Sequence, residues 1–367
     1  MKKHITWFAA CALAAMLAGC SSASSEETQS TAAETTQAET AAQTTEAATE
    51  AAEETAAESE EVSLEAPGAS ETLRIGSLKG PTSMGLVSLM DLAEKGESEG
   101  SYTFTMVTDA SELSAQMVAG DLDIALVPAN MASILYQKTE GGVQLIDINT
   151  LGVLYVVSAD TSIQSIADLA GKTVYMTGKG TTPEYAFNYL LSANGLSADD
   201  VTIEFKSEAT EVAAILKEQP DAIGLLPQPF VTVAMSQNEN LQMVLDLTEE
   251  WDKVQAEDGG SLVTGVTVCR SQVLEEQPEA VDRFIAEHKA STEFANTDVE
   301  AAAELVAAAG IIEKAPVAVK AMPYCSIVCI DGSEMKDMVS GYLSVLYDQD
   351  PASVGGALPD DAFYYLP

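Results

Sequence analysis

A stretch of 30 residues occurs twice in this chain, 99 positions apart, and this duplication restricts the fold more than any other feature. Residues 102–131 align without a gap on residues 201–230, and seven of the 30 aligned pairs are identical. The aligned stretches contain I-A-L-V-P-A-N-M at 124–131 and I-G-L-L-P-Q-P-F at 223–230. Such internal similarity indicates that the chain builds the same supersecondary unit twice.

Each copy reads as strand, Gly/Thr loop, helix, strand, helix, strand, proline turn and helix. The predicted strands are short apolar runs bounded by Gly and Pro, and they alternate with amphipathic stretches. They are Leu73–Leu78, Tyr102–Val107 and Asp123–Val127 in the first copy, and Thr173–Thr177, Val201–Lys206 and Ala222–Leu226 in the second. This alternation predicts an α/β protein with two mostly parallel sheets. Ligands of open α/β sheets bind beyond the carboxyl ends of the strands, so the two sheet edges are expected to form one cleft.

Two further apolar runs predict how the chain passes between the two halves. Residues 151–157 lead out of the first lobe, and residues 263–269 lead back into it. The predicted helices that follow are Pro278–Ala295, Val299–Ala309 and Glu334–Tyr347. We therefore predict lobe 1 from residues 73–155 plus 266–367 and lobe 2 from residues 156–265. The two crossings predict a two-strand hinge, as in proteins that close around a ligand.

The N-terminus predicts export. Lys2 and Lys3 precede an apolar run of about a dozen residues, which is too short to span a bilayer at the roughly 20 residues required. The run ends in L-A-G-C at Cys20, which resembles the lipobox of bacterial lipoproteins. That resemblance implies a signal peptide at residues 1–19, lipidation of Cys20, and an anchor on the outer face of the plasma membrane.

Residues 20–72 predict a disordered tether. This segment holds 13 Glu, has no Asp, Lys or Arg, and is otherwise rich in Ala, Thr, Ser and Gln. Like-charged chain of low hydrophobicity cannot bury enough surface to fold. A coil of this length spans roughly 40 Å.

The charge of the remaining chain excludes several partners. Beyond residue 72 lie 44 of the 57 acidic residues and 15 of the 17 basic residues, so the folded part is strongly negative. This charge argues against nucleic acid and anionic lipid as partners.

The cysteines and histidines of the mature chain predict no metal site and no cofactor. Cys269, Cys325 and Cys329 allow at most one disulfide and are interpreted as small buried residues, the last two on one predicted strand. His288, the one histidine left after signal cleavage, falls on a charged predicted helix, which argues against a histidine-rich metal site.

Three stretches resemble one family. I-Q-S-I-A-D-L-A-G-K-T-V-Y at 163–175 is similar to the start of the second lobe in solute-binding proteins of ABC transporters. Residues 120–130 resemble their strand-to-cleft turn, and residues 275–284 resemble the helix after the return to lobe 1. The pattern is similar to the nitrate/sulfonate/taurine type, over nearly all of residues 73–367. It implies the type II periplasmic-binding-protein fold, a small-molecule solute, a membrane-embedded ABC permease as partner and a monomeric protein.

The candidate ligand-binding residues lie in the loops at the predicted cleft. Helix N-termini offer unpaired N–H groups, and glycine lets the backbone approach a ligand closely. The loop candidates are Lys79, Gly80, Thr82 and Ser83 in the first copy and Gly178, Lys179, Gly180, Thr181 and Thr182 in the second. The proline turns add Asn130 and Gln228, and the tyrosines Tyr155 and Tyr324 complete the set. The alternatives are that the hydroxyls only cap helices, the lysines are solvated and the tyrosines belong to the core.

Two other functions remain open at this point. Some enzymes of pyrimidine-precursor and menaquinone synthesis share the fold, but the predicted cleft loops contain no His, and Glu184 is nearly their only carboxylate. We therefore predict no catalytic residue and no enzymatic activity. A lipid-anchored sensor or adhesin without a transporter is the second alternative.

Overall fold

The computed structural model describes residues 72–197, 199–255 and 260–366. The predicted signal peptide, Cys20 and the acidic segment up to residue 71 lie outside the described residues. Within them, no helix is long and apolar enough to cross a membrane.

The described residues form two β-sheets covered by helices. The strands are β1 (Leu73–Leu78), β2 (Tyr102–Val107), β3 (Ile124–Pro128), β4 (Val143–Thr150), β5 (Leu154–Ser158), β6 (Thr173–Met176), β7 (Thr202–Phe205), β8 (Ile223–Pro227), β9 (Gln242–Asp246), β10 (Gly265–Arg270) and β11 (Ile327–Ile330). The α-helices are α1 (Pro81–Met84), α2 (Val87–Lys95), α3 (Ala110–Ala119), α4 (Ala129–Lys138), α5 (Thr182–Ala193), α6 (Ala209–Glu218), α7 (Phe230–Gln237), α8 (Leu247–Val254), α9 (Ser271–Glu276), α10 (Pro278–Thr297), α11 (Val299–Ala308), α12 (Ala315–Ala321) and α13 (Gly332–Gln349). Short 3-10 helices occupy Ile166–Leu169, Met322–Tyr324, Pro351–Val354 and Asp361–Phe363.

The two sheets have the same strand plan. The first runs β11-β4-β10-β3-β1-β2 and the second runs β9-β5-β8-β6-β7. In each, the three strands of the repeated unit pair in parallel, with Ile75 opposite Ile124 in one and Val174 opposite Ile223 in the other. All four of these residues obey the 99-residue offset, so the structure confirms the duplication and the α/β fold class.

The prediction of mostly parallel sheets is confirmed, because β1 to β4 run in one direction in the first sheet and β6 to β9 do so in the second. The antiparallel pairings come from the remaining strands, β10, β11 and β5. In the first sheet β10 pairs antiparallel with both β3 and β4, and β11 pairs antiparallel with β4. In the second sheet β5 pairs antiparallel with β8 and β9. The reason lies in the crossings, because a strand that arrives from the other half of the molecule is not constrained by a βαβ connection and inserts in the opposite direction.

The chain changes sheet at short segments rather than along strands. It leaves the first sheet after Thr150, enters the second at Leu154 and re-enters the first at Gly265. The two crossings contact each other, since the amide of Thr264 donates to the carbonyl of Thr150 at 3.1 Å. The lobe boundaries predicted above, at residues 155–156 and 265–266, stay predictions.

The strands at the centre of each sheet are buried on both faces. The apolar runs of β3 and β8 are buried up to their final proline, as expected where helices cover both faces of a parallel core. Helix α13 was assigned by prediction to the first lobe, but it packs against α4 and β4 and also against α5. Its Tyr342 ring lies 5.6 Å from the ring of Trp251, on α8. The C-terminal helix therefore joins the two halves.

Candidate functional site

The buried hydroxyl groups of the loop after β1 form hydrogen bonds with nearby groups of the protein. Gly80, at φ 148°, precedes the single-turn helix α1, a conformation that only glycine adopts readily. Thr82 is buried and donates its hydroxyl to the carbonyl of Leu78 at 2.7 Å. Ser83 is fully buried between Ser77 and that same carbonyl. Neither hydroxyl caps the helix, so the capping alternative is wrong here, and both groups are already engaged.

The equivalent loop in the second half is arranged differently. Gly178 and Gly180 both have positive φ, at 83° and 74°. The Thr181 hydroxyl donates to the Gly178 carbonyl at 2.8 Å, and the Gly180 amide donates to Glu184. Thr182, at the first position of α5, is 1% exposed, and its hydroxyl has no hydrogen-bond partner among the described residues.

The two lysines lie at the surface. Lys79 is exposed, and its amide donates to the carbonyl of Val107. Lys179 is also exposed, and its Nζ lies 5.7 Å from the centre of the Phe205 ring. A cation over an aromatic face is a weak attraction at an exposed site. The prediction that either lysine contacts a ligand stays a prediction.

The proline turns place two amides in the interior. Asn130 on α4 is 0% exposed, and its Nδ2 donates to the carbonyl of Ser353 at 3.2 Å. Its Oδ1 has no partner within the described part of the chain. Gln228, after β8, is 1% exposed, and its Oε1 accepts from the Thr232 hydroxyl at 2.9 Å.

The tyrosines connect the two halves of the molecule. Tyr155 lies on β5 of the second sheet and is 5% exposed. Its hydroxyl donates at 3.1 Å to the carbonyl of Tyr324, which is in the segment that leads into β11 of the first sheet. Burial, reinforced by the charge of Asp246, raises the pKa of Tyr155, so this hydroxyl keeps its proton. The Tyr324 side chain is 45% exposed.

Sequence reasoning missed the part that the C-terminal helix plays. Thr182 approaches the hydroxyl of Tyr342 on α13 without reaching hydrogen-bond geometry. Asn130 is tied to Ser353, just beyond the end of that helix. The predicted site residues at the starts of α4 and α5 therefore both border α13. The helix itself was predictable from its pattern, but its place between the halves was not.

A second polar cluster lies in the first half. His288, which was placed by prediction on a charged helix, is 0% exposed. Its Nδ1 lies 3.1 Å from Oδ2 of Asp147 on β4 and 3.7 Å from Sγ of Cys329 on β11. No sequence pattern links these three positions.

The three cysteines among the described residues, Cys269, Cys325 and Cys329, are free. Cys325 and Cys269 are buried, as expected, and burial raises the pKa of Cys325 to about 12. Cys325 does not lie on a strand as predicted, because the short helix Met322–Tyr324 comes before it and the strand begins two residues later.

Comparisons with known proteins agree with this architecture. A putative binding protein of Brucella abortus is 26% identical over 226 residues, which cover 61% of this chain and 67% of that protein. Among solved structures, an ABC transporter protein from Parabacteroides distasonis superposes with a TM-score of 0.68 at 21% identity, covering 80% of this chain and 98% of that one. The periplasmic aliphatic sulphonate binding protein SsuA from Escherichia coli superposes with a TM-score of 0.65 at 16% identity, over 81% of this chain and 92% of that one.

The structural matches confirm the periplasmic-binding-protein fold. The sequence profile described as NMT1/THI5 like matches residues 109–302, which is more than half of the chain and includes the first copy of the aligned stretch from residue 109 onward and all of the second. The match agrees with the resemblance to nitrate/sulfonate/taurine-type solute-binding proteins, and on this ground the chain belongs to the NMT1/THI5-like family.

Proposed function

We propose that this protein is the solute-binding component of an ABC importer, exported and anchored to the outer face of the plasma membrane through Cys20. It captures a small polar or anionic solute between its two halves and delivers it to a membrane-embedded permease as a monomer. The family, the fold and the functions of its structural neighbours support this proposal.

One structural observation carries the proposal. After β3 in the first half and β6 in the second, helices α4 and α5 begin with a buried polar atom that makes no hydrogen bond among the described residues. These atoms are Oδ1 of Asn130 and Oγ1 of Thr182, the latter beside the hydroxyl of Tyr342. A buried polar atom left unpaired costs about 1–3 kcal/mol, and native proteins rarely tolerate it without a functional reason. The helix N-termini add backbone N–H groups at the same places. A polar solute that binds there gains hydrogen bonds that the protein alone does not make.

We also propose that the protein is not an enzyme. Among the described residues, the loops that follow β1, β3, β6 and β8 contain no histidine and no cysteine. Glu184 accepts a hydrogen bond from the Gly180 amide. General acid–base or nucleophilic chemistry needs a poised group within reach of the substrate.

A thermal-shift screen of the mature protein tests the binding function. The solutes are alkanesulfonates, nitrate, carboxylates, pyrimidines and phosphonates. A ligand at 100 times its Kd adds about 2.7 kcal/mol to the free energy of unfolding, which gives a clear rise in Tm. Absence of a shift with every solute at millimolar concentration would count against the proposal.

A pair of variants tests the site once a ligand is found. Thr182→Val removes the unpaired hydroxyl with little change of shape, so we expect Kd to rise about tenfold while the Tm of the free protein stays the same. Thr292→Val is the matched control, because its buried hydroxyl is also unpaired among the described residues but lies on α10. An equal effect of both variants on Kd, or none from Thr182→Val, would remove Thr182 from the site.

The anchor is tested separately. Mass spectrometry of the mature N-terminus should find acyl chains on Cys20, and Cys20→Ala should shift the protein from the membrane fraction to the soluble fraction. If the wild-type protein has an unmodified Cys20, the anchor is refuted, although solute binding is not.

A further inference from the structure

Three metal-ligating side chains from distant parts of the chain meet beside β4. Oδ2 of Asp147 on β4, Nδ1 of His288 on α10 and Sγ of Cys329 on β11 all lie within 4.8 Å of one another. Asp147 and His288 are 0% exposed, and Cys329 is half-buried. A carboxylate, an imidazole and a thiol are three of the ligand types that proteins use for zinc.

The distances agree with shared coordination. Usual zinc bond lengths in a tetrahedral arrangement place a nitrogen ligand about 3.3 Å from an oxygen ligand and about 3.6 Å from a sulfur ligand. The observed separations are 3.1 Å from Nδ1 of His288 to Oδ2 of Asp147 and 3.7 Å from that nitrogen to Sγ of Cys329. Small side-chain adjustments are enough to bring all three atoms to one ion.

The surroundings hold the carboxylate in place. The hydroxyl of Thr267 on β10 donates to Oδ1 of Asp147 at 2.6 Å, and Asn149 donates to that hydroxyl in turn. This leaves Oδ2 for an ion, and hydrogen-bonded ligands of this kind are a regular feature of metal sites. The fourth position of a tetrahedral ion is then available to water.

The local charge favours a cation. The carboxylates of Asp147 and Asp331 both act on the Cys329 sulfur, so the surroundings of the cluster are negative. Lys289 is the basic group next to Asp331, with Nζ 3.7 Å from the carboxylate oxygen, and it is mostly exposed.

We propose that Asp147, His288 and Cys329 bind one divalent cation of the zinc class. As the sulfur–metal bond forms, the thiol proton leaves to solvent, and water completes the coordination. The mixed oxygen, nitrogen and sulfur ligands favour Zn²⁺ over Mg²⁺ or Ca²⁺, which prefer oxygen alone. The ion ties β4, α10 and β11 together.

The test uses the full mature protein after metal removal with a chelator. Titration with Zn²⁺ should show one site per chain and a rise in Tm, and neither should occur with Mg²⁺. Co²⁺ in place of Zn²⁺ should give visible d–d bands of tetrahedral intensity and a thiolate-to-cobalt charge-transfer band in the near ultraviolet. A cobalt spectrum without the charge-transfer band overturns the proposal.

Two matched cysteine variants locate the ion. Cys329→Ser should raise the Kd for Zn²⁺ by about 100-fold and abolish the charge-transfer band. Cys325→Ser is the control, because that thiol donates only to the Ala321 carbonyl and a hydroxyl can replace it. Asp147→Asn is a second test, since the amide oxygen can still accept from Thr267. Unchanged zinc affinity in Cys329→Ser would show binding at surface carboxylates and refute the site. Zinc binding does not depend on the solute, so the result is independent of the proposed transport function.

Discussion

The two copies of the repeated unit give the same sheet but different surroundings. The 99-residue relation extends beyond the aligned stretch to β4 and β9, which begin at Val143 and Gln242. It places Asp147 of the first copy on Asp246 of the second. Asp147 is fully buried and contacts Thr267 and His288. Asp246 ends its strand and accepts from the amide of Thr248 at 2.8 Å, which caps α8.

The difference shows that the repeat determines backbone position, while the added elements determine the role of each side chain. In the first copy β4 continues three residues beyond the end of the matching strand and pairs with β11, so its aspartate lies inside a layer. In the second copy α8 begins at this position, so the aspartate acts at a helix terminus.

The largest expected difference in stability between matching substitutions in the two copies concerns these two aspartates. With a chelator present, Asp147→Ala should lower the free energy of unfolding by about 3 kcal/mol, because it leaves buried polar partners without a carboxylate. Asp246→Ala should cost about 1 kcal/mol, the usual value of a lost N-cap. Urea unfolding of both variants measures this, and equal losses would refute the difference in environment.

A smaller effect on the free energy of unfolding is expected where side-chain packing differs between the copies. Gly224 on β8 corresponds to Ala125 on β3. A Cβ at Gly224 would lie 2.9 Å from Cδ1 of Leu216 and 3.0 Å from Cγ1 of Val212. Gly224→Ala should therefore cost about 1–2 kcal/mol.

The first copy suggests the compensating change. Met117 occupies the position of Leu216 there, and methionine adapts to irregular space. Adding Leu216→Met to Gly224→Ala should recover part of the loss in urea unfolding. If the double variant is no more stable than Gly224→Ala, side-chain shape at this position does not explain the difference.

The smallest effect concerns the caps of α3 and α6. Asp109 caps α3 by accepting from the Ser111 amide at 2.8 Å, whereas Glu208, at the same place in the second copy, makes no side-chain cap. Glu208→Asp should add about 0.5–1 kcal/mol to the free energy of unfolding, because the shorter side chain can reach the amide.

The cap in the first copy should also respond to pH. The hydrogen bonds from Ser111 lower the pKa of Asp109 from its usual 3.8. The stabilising effect of this carboxylate is thus complete above pH 4 and is lost as pH falls through its lowered pKa. The stability difference between wild type and Asp109→Ala, measured at pH 7 and at low pH, should shrink on acidification. A difference that stays constant down to pH 2 would contradict the cap.

Sequence patterns predicted the repeated unit well, and the reason is periodicity. Strands β1 and β2 match their predicted bounds, and β3, β6, β7 and β8 differ by one residue at one or both ends. Strand β4 was not predicted, because its buried positions include the polar residues Asp147, Asn149 and Thr150, which are typical of an exposed segment. Strand β9 is short and carries a partly exposed pattern.

The candidate site was less predictable, because hydrogen-bond partners are decided by tertiary contacts. The sequence singled out Thr82 and Thr182 alike, yet only the first donates to a nearby carbonyl. Asn130 was selected for its place after a proline, and nothing local indicated that Ser353 would bind its amide nitrogen. Contacts with residues near the end of the chain could not be predicted from the sequence of each loop alone.

The position of strand β10 determines the order in which the two sheets can form during synthesis. It lies between β3 and β4, although more than a hundred residues of the second half separate it from both along the chain. Until Gly265 has been synthesised, β3 and β4 cannot be joined, and each presents an unpaired edge. A chain cut anywhere before this strand therefore cannot close its first sheet, and the second half must be made before the first can be finished.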